Sequence, residues 1–330
     1  MVIATLGPAS ATAVSAAALR EAGADAVRLN GSFLDEAGLR GYLAAALAGG
    51  FSPSHVVVDL QGGKTRLGEL ASPIEVRTGQ ILWLAPLGSA ADPLLPRLPV
   101  DRAGFLGGLR RGDTVRVDDG RLVLQIEAPH GAGGWAARVC GEGRIESRKG
   151  LALHGRESPP GAELLDRDRA LLRLALAEGV TDFAVSYASC PLLEAVRREA
   201  ASHRADRSIR IHGKIEQPNA IQRLPELMPV ADSLWLCRGD LGAEVGLEAL
   251  PRLQAAALEG AIGRVRLLIA GQVLHHMTVS PRPTRSEVCH VADLVWRGVG
   301  GFVLSDETAT GRYGPEAVHW LRRLVDSAAW

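Results

Sequence analysis

The chain has 330 residues, 47% of them apolar, and its 37 basic and 37 acidic side chains cancel. That length supports a full-size core and one or two domains, while the balanced charge offers no field for a nucleic acid or a membrane surface, and no apolar run reaches spanning length. Cys140, Cys190, Cys237 and Cys289 are scattered without metal-type spacing, and the N-terminus lacks the basic and apolar regions of a signal peptide, so free thiols in a cytoplasmic protein are expected.

In chain order, a strand over Val2–Leu6 leads to a helix over Ala11–Ala22, with Ser10 as its expected N-cap and Gly23 as its stop. Strands follow at Ala26–Leu29 and His55–Asp59. Between Arg66 and about Lys149 the rhythm breaks. No long helical pattern occurs there, and Thr114–Val117 and Arg121–Ile126 flank Asp118-Asp119-Gly120, a hairpin turn. A leucine-rich helix over Leu165–Glu178 then resumes the alternation. Strands at Asp182–Ser186, Arg210–Lys214, Ser233–Cys237, Leu267–Ala270 and Gly301–Leu304 come next, with helices over Ser286–Arg297 and Pro315–Ala329 among them. Eight strands alternating with helices predict an α/β fold, a parallel (β/α)₈ TIM barrel. The irregular stretch predicts a small β-barrel-like lid domain inserted after the third strand. The barrel would take residues 1–66 and 149–330, and the lid residues 67–148.

Parallel strands bring their C-terminal ends to one mouth, so the polar residues there define the chemistry. The second strand runs into Arg28, Asn30 and Ser32, the third ends at Asp59 ahead of Lys64 and Arg66, the fourth at Ser186, the fifth at Lys214 and Glu216, and the sixth at Gly239 and Asp240. Glu216 and Asp240 could hold a hard divalent cation through oxygen, Mg²⁺ or Mn²⁺. Lys214 and Arg28 could neutralise a transferring phosphoryl group, and the Gly239 and Asp240 amides could take a substrate carboxylate. Only three of the 37 basic residues are lysines, Lys64, Lys149 and Lys214. In so Arg-rich a chain, a retained ammonium marks a place where a planar guanidinium does not serve. His275 and His276, adjacent and so on different helix faces, are read as structural.

These residues lie in stretches that resemble the pyruvate kinase family along almost the whole chain: ATLGPAS (4–10), DLQGGKTRLG (59–68), SRKGLAL (147–153), GKIEQPNAI (213–221), RGDLGAEV (238–245), SPRPTRSEV (280–288) and LSDETATGRYGPEAV (304–318), with shorter matches at 27–32 and 117–120. The resemblance implies Arg28 and Lys214 on the transferring phosphoryl group, Glu216 and Asp240 on the metal, and Gly239, Asp240 and Ser186 on the substrate. Pro8, Asn30, Arg66 and Lys149 would face ADP or ATP, and Asp119 of the lid the nucleotide-bound metal. Asn30, Ser32 and Asp59 would form the monovalent-cation site. Potassium-dependent members carry Thr-Lys-Gly-Pro-Glu after the third strand, whereas this chain has Leu60-Gln61-Gly62-Gly63-Lys64. The resemblance therefore implies that the Lys64 ammonium replaces K⁺, and that K⁺ is not required.

The chain also departs from the family. Gly271 stands where the family has a Thr beside the substrate, which removes a hydroxyl and is expected to open space, so that Gly271→Thr would raise pyruvate kinase activity. Phe33 replaces a His on the nucleotide side. The family's C-terminal regulatory domain has no counterpart in these residues, and effector control through it is expected to be missing. Three functions follow: phosphoryl transfer between phosphoenolpyruvate and a nucleotide, at reduced rate; metal-assisted enolate chemistry on a larger 2-oxo acid, of lyase or decarboxylase type; or a paralogue that only binds phosphoenolpyruvate or pyruvate. Retention of the full charged set weighs against the last. Assembly as a homo-oligomer, a dimer, is expected through the barrel helices near residues 280–288.

Overall fold

A computed structural model describes residues 1–118, 120–155, 164–203 and 208–328. Eight parallel strands close a barrel: Val2–Leu6, Ala26–Asn30, Val56–Leu60, Asp182–Val185, Arg210–Ile215, Ser233–Cys237, Leu267–Ala270 and Gly301–Leu304. They follow chain order around the ring, and the first pairs with both the second and the eighth. All eight predicted strands are present, four with the predicted bounds and four with ends shifted by one residue.

The period of two along each strand sorts the side chains. On the fifth strand Ile211 and Ile215 point outward into the apolar layer beneath the helices, while His212 and Lys214 point into the barrel. On the third, Val56, Val58 and Leu60 face that layer, leaving Val57 and Asp59 inside. The interior is therefore layered. Asp182, His212 and Ser233 form a hydrogen-bonded polar floor, with His212 stacked on Trp235. Above it Ile3, Val57, Ala184, Trp235, Leu268 and Val303 form an apolar plug. Charged residues form the top layer, at the C-terminal ends of the strands.

The predicted helix ends shift by one or two residues. The first helix runs Ala13–Glu21, and Thr12, not Ser10, caps it through a reciprocal bond with Ser15. Ser10 instead accepts the Gly7 amide at 3.0 Å, because it belongs to the loop that rises over the barrel mouth. The last helix begins at Gly314, which places Pro315 in the first turn; the predicted end at Ala329 lies outside the described residues.

Between the third and fourth barrel strands, a seven-stranded sheet takes in Thr65–Arg66, Gly150–His154, Thr114–Val117, Leu122–His130, Gly134–Val139, Ile81–Pro86 and Arg97–Val100, in that spatial order. Its edges meet where Leu67 bridges Val100 and Gly68 donates to Pro99, so the sheet curls into a barrel-like unit around its own apolar core. The predicted hairpin is present, with Asp118 and Gly120 both at positive φ.

The exit to this insert is clamped from the barrel side. Asp168, fully buried on the helix Asp166–Ala177, accepts the amides of Gln61 at 3.0 Å and Gly62 at 2.8 Å. Gly62 has φ +56°, and a Cβ there would stand 2.2 Å from the Ser186 carbonyl oxygen, so only glycine fits. From the insert, Arg102 donates to Gly62 O, and Asp101 accepts Gln61 Nε2 at 2.6 Å and the Arg66 amide at 2.8 Å. Removing the Asp168 carboxylate leaves two buried N–H groups without acceptors. Asp168→Ala should therefore lower unfolding free energy by roughly 2–4 kcal/mol, read by denaturant titration.

Candidate active site

At the mouth, Lys214 Nζ lies 3.0 Å from Asp59 Oδ2, 3.1 Å from Glu216 Oε1 and 2.7 Å from Ser186 Oγ. Arg28 binds the same Asp59 from the other side, Nε to Oδ2 at 2.6 Å, and reaches Thr5 Oγ1 at 3.1 Å. Burial disfavours the charge on Asp59, yet the two cations outweigh it and hold its pKa below the usual value. Burial likewise opposes the Lys214 charge, and Asp59 and Glu216 more than restore it, so the ammonium persists at any physiological pH. Lys214 is thus locked in place and in charge.

Glu216 is also held by its backbone surroundings. Its Oε2 accepts the Tyr187 amide at 2.8 Å, and Tyr187 adopts φ +53°, a strained setting for a bulky residue. Its Oε1 is buried and, although near Lys214, makes no hydrogen bond of good geometry. Burial, with Asp240 close by, pushes the Glu216 carboxyl up to about 7. Asp240 sits in the first turn of the helix Arg238–Val245, whose leading amides have no acceptor within the helix. Its Oδ1 accepts the Lys64 ammonium; despite burial, Lys64 and Lys214 hold its carboxyl down at about 2.

These groups open on a cavity of about 730 Å³ between barrel and insert. Arg28, Lys64, Lys214, Glu216, Gly239 and Asp240 line its floor. Pro8, Asn30, Ser32, Phe33, Arg66 and Lys149 line the side toward the insert, and Gly271 lies on the wall from the seventh strand. Ser186 and Asp59 do not line it. Both lie behind Lys214 and position it. Asp119 falls outside the described residues.

Two sequence expectations change. The expected monovalent set does not gather around Lys64. Asp59 is already neutralised by Arg28 and Lys214, Asn30 Oδ1 accepts the Ser32 amide, and the Lys64 ammonium goes to Asp240, the carboxylate those cations leave over. Nor does Gly271 open the space expected of it. Its φ is +87°, and a Cβ there would stand 3.1 Å from the Gly239 amide nitrogen. A side chain would lie over the helix N-terminus, and Gly271→Thr carries a backbone strain of about 1–3 kcal/mol that opposes any gain from the hydroxyl.

Further residues organise the mouth. Glu307, fully buried, accepts the amides of Leu274 and Ser305 and ties together the loops after the seventh and eighth strands. Arg238 donates to the carbonyls of Gly271 and Gln272, both at positive φ, and so holds that turn. Phe33, in place of the family's His, carries the Arg66 guanidinium 4.9 Å above its ring, a cation–π contact that flattens Arg66 against the cavity wall. Glu244, on the helix that bears Asp240, is buried beside Gln217 Nε2. Burial, with Asp240 and Glu216 near, pushes it up to about 8. Its motif contained it, but nothing in the motif separates a buried acid from a surface one.

Fold and site together define a (β/α)₈ barrel whose mouth pairs fixed cations with two buried carboxylates beneath an inserted β cover. A family model described as "Pyruvate kinase, barrel domain" matches residues 1–318. A pyruvate kinase of Aeropyrum pernix is 32% identical over 99% of this chain and 70% of its own length. Those of Methylorubrum extorquens and Mycobacterium tuberculosis are 34% and 33% identical over 98% of it, covering 67% and 69% of their own lengths. The chain belongs to the pyruvate kinase family.

Glu244 gives a stability test. Its folded pKa lies above its unfolded value, so the stability it contributes is complete below about 4.5 and is lost as pH rises to about 8. Glu244→Gln should gain on the wild type by roughly 2 kcal/mol or more between pH 5 and pH 8, measured as paired thermal melts.

Proposed function

We propose that the chain transfers a phosphoryl group between phosphoenolpyruvate and a nucleoside diphosphate, using a divalent cation, Mg²⁺ or Mn²⁺, held by Glu216 and Asp240. The observation that carries this reading is the Lys214 ammonium, fixed by Asp59, Ser186 and Glu216 and facing the same cavity as Arg28 and Asp240. The residues fit the cation. Both are carboxylates, and Glu216 Oε1, 3.1 Å from Lys214 Nζ, is buried without a hydrogen bond of good geometry. Among the described residues no three His, Cys, Asp or Glu side chains form a ready cage. That agrees with Mg²⁺, which takes one or two carboxylates and completes its shell with substrate oxygens and water.

When bound, the cation supplies Lewis acidity to phosphate and enolate oxygens. Lys214 and Arg28 neutralise charge on the transferring group without having to reorganise, since their partners already fix them. The first-turn amides of the helix Arg238–Val245 hold the substrate carboxylate. On the insert side, Pro8, Asn30, Arg66 and Lys149 receive the nucleotide. Gly271 offers no hydroxyl beside the enolate, so turnover is slower than in relatives that have one. A second reading keeps the cation and enolate site without that hydroxyl: metal-assisted lyase or decarboxylase chemistry on a 2-oxo acid.

Among the described residues no helix is long and apolar enough to cross a membrane, and we read the protein as cytoplasmic. A dimer through the region of residues 280–288 belongs to the same reading, with Val279 and Trp296 exposed near it.

Lactate dehydrogenase-coupled turnover with phosphoenolpyruvate and ADP tests the proposal; oxaloacetate decarboxylation without it would favour the second reading. Lys214→Met should cut kcat by about a hundredfold or more. Lys214→Arg, which keeps the charge but not the compact ammonium, should lose turnover while keeping the fold. Because Arg28 and Lys214 already neutralise Asp59, exchange of K⁺ for tetramethylammonium should leave the rate unchanged.

A further inference from the structure

Lys64 is held at three points. Its backbone is fixed in the turn after the third barrel strand, where its amide donates to Gln61 O at 3.2 Å and its carbonyl accepts Gln61 Nε2 at 3.0 Å. Its stem crosses the insert strand Gly150–His154 where that strand has no side chain: a Cβ on Gly150 would stand 2.7 Å from Lys64 Cε and 3.2 Å from Nζ. Its ammonium ends on Asp240 Oδ1. The residue thus threads between insert and barrel, and its charge rests on one of the two carboxylates that a divalent cation would need.

A dication and an ammonium compete for that oxygen. Mg²⁺ binds carboxylates at about 2.0–2.1 Å, too close for an ammonium to keep the same lone pairs, and the two charges repel. With no cation on that oxygen, the largely buried Asp240 carboxylate would lose its hydrogen-bonded counter-charge. Lys64 supplies that counter-charge and keeps the helix N-terminus in place while the metal is away.

We infer that Lys64 is a tethered counter-ion that a divalent cation must displace from Asp240, so that the contact between insert and barrel sets the metal affinity of the site. This rests on the reading of Glu216 and Asp240 as the metal pair. Gly150 is the point of coupling, because a methyl group there pushes the Lys64 stem aside without removing its charge.

The test is Mn²⁺ binding to the whole chain, followed by the electron paramagnetic resonance signal of free Mn²⁺, with no phosphoenolpyruvate or nucleotide present. Lys64→Met should tighten binding about tenfold or more. Lys64→Arg, which keeps the cation, should stay near wild type, and Gly150→Ala should shift affinity in the same direction as Lys64→Met. In an Asp240→Asn background the effect of Lys64→Met should vanish. Unchanged or weaker binding in Lys64→Met overturns the inference, as does absence of Mn²⁺ binding in every variant. Wild-type affinity in Gly150→Ala overturns the coupling to the insert. Coupled turnover of the wild type separates this from the functional reading: Lys64-dependent Mn²⁺ affinity without turnover upholds the inference and sinks that reading, and turnover with Mn²⁺ affinity indifferent to Lys64 does the reverse.

Discussion

Arg28, Asp59, Lys214 and Glu216 are charged groups almost wholly withdrawn from water, and none of them could stay there alone. A lone buried charge costs several kcal/mol, and breaking one member of a paired set exposes the others to that cost. The barrel meets the constraint by bringing the ends of its second, third and fifth strands together, the fifth supplying both Lys214 and Glu216, so that each charge finds its partner already in place. Asp59 is the pivot, since both cations bind it. The apolar plug below, with Trp235 at its centre, keeps water from reaching these groups from beneath. An anion entering from above meets cations that cannot turn away.

The same constraint accounts for Lys64. After the pairing around Asp59 is complete, Asp240 remains as a largely withdrawn carboxylate that needs a positive neighbour, and the turn after the third strand delivers one. The ammonium that the motif comparison assigned to a monovalent site is drawn instead to the group with the unmet charge. Pairing in a buried cluster is decided by the sum over all its members, and a residue-by-residue transfer from relatives does not see that sum.

This separates what the sequence made legible from what it did not. The eight strands could be read because each is a short apolar run whose register is fixed by burial, and Lys214, Glu216 and Asp240 because they sit where parallel strands must end. Helix ends were less legible: Ser10 and Thr12 are equally good caps in isolation, and only the loop over the mouth decides between them. The positive φ of Gly271 and Tyr187 is set by the packing of neighbouring strand ends, so no local pattern announces it. Nothing in the local sequence marks Asp168 and Glu307 as buried acids. They are buried because backbone amides from distant loops converge on them.

The way the insert is attached has a consequence for how such proteins diversify. The chain leaves the barrel through Thr65–Arg66 and returns through Gly150–His154, and these two segments pair with each other, Arg66 opposite Gly150. Exit and return are therefore one strand spacing apart, about 4.8 Å, a gap that a two-residue turn can span. The cover is joined like a cassette, replaceable without moving the ends it leaves behind. The strand ends beneath and the sheet above can then vary separately, except at Gly150, where the Lys64 stem crosses.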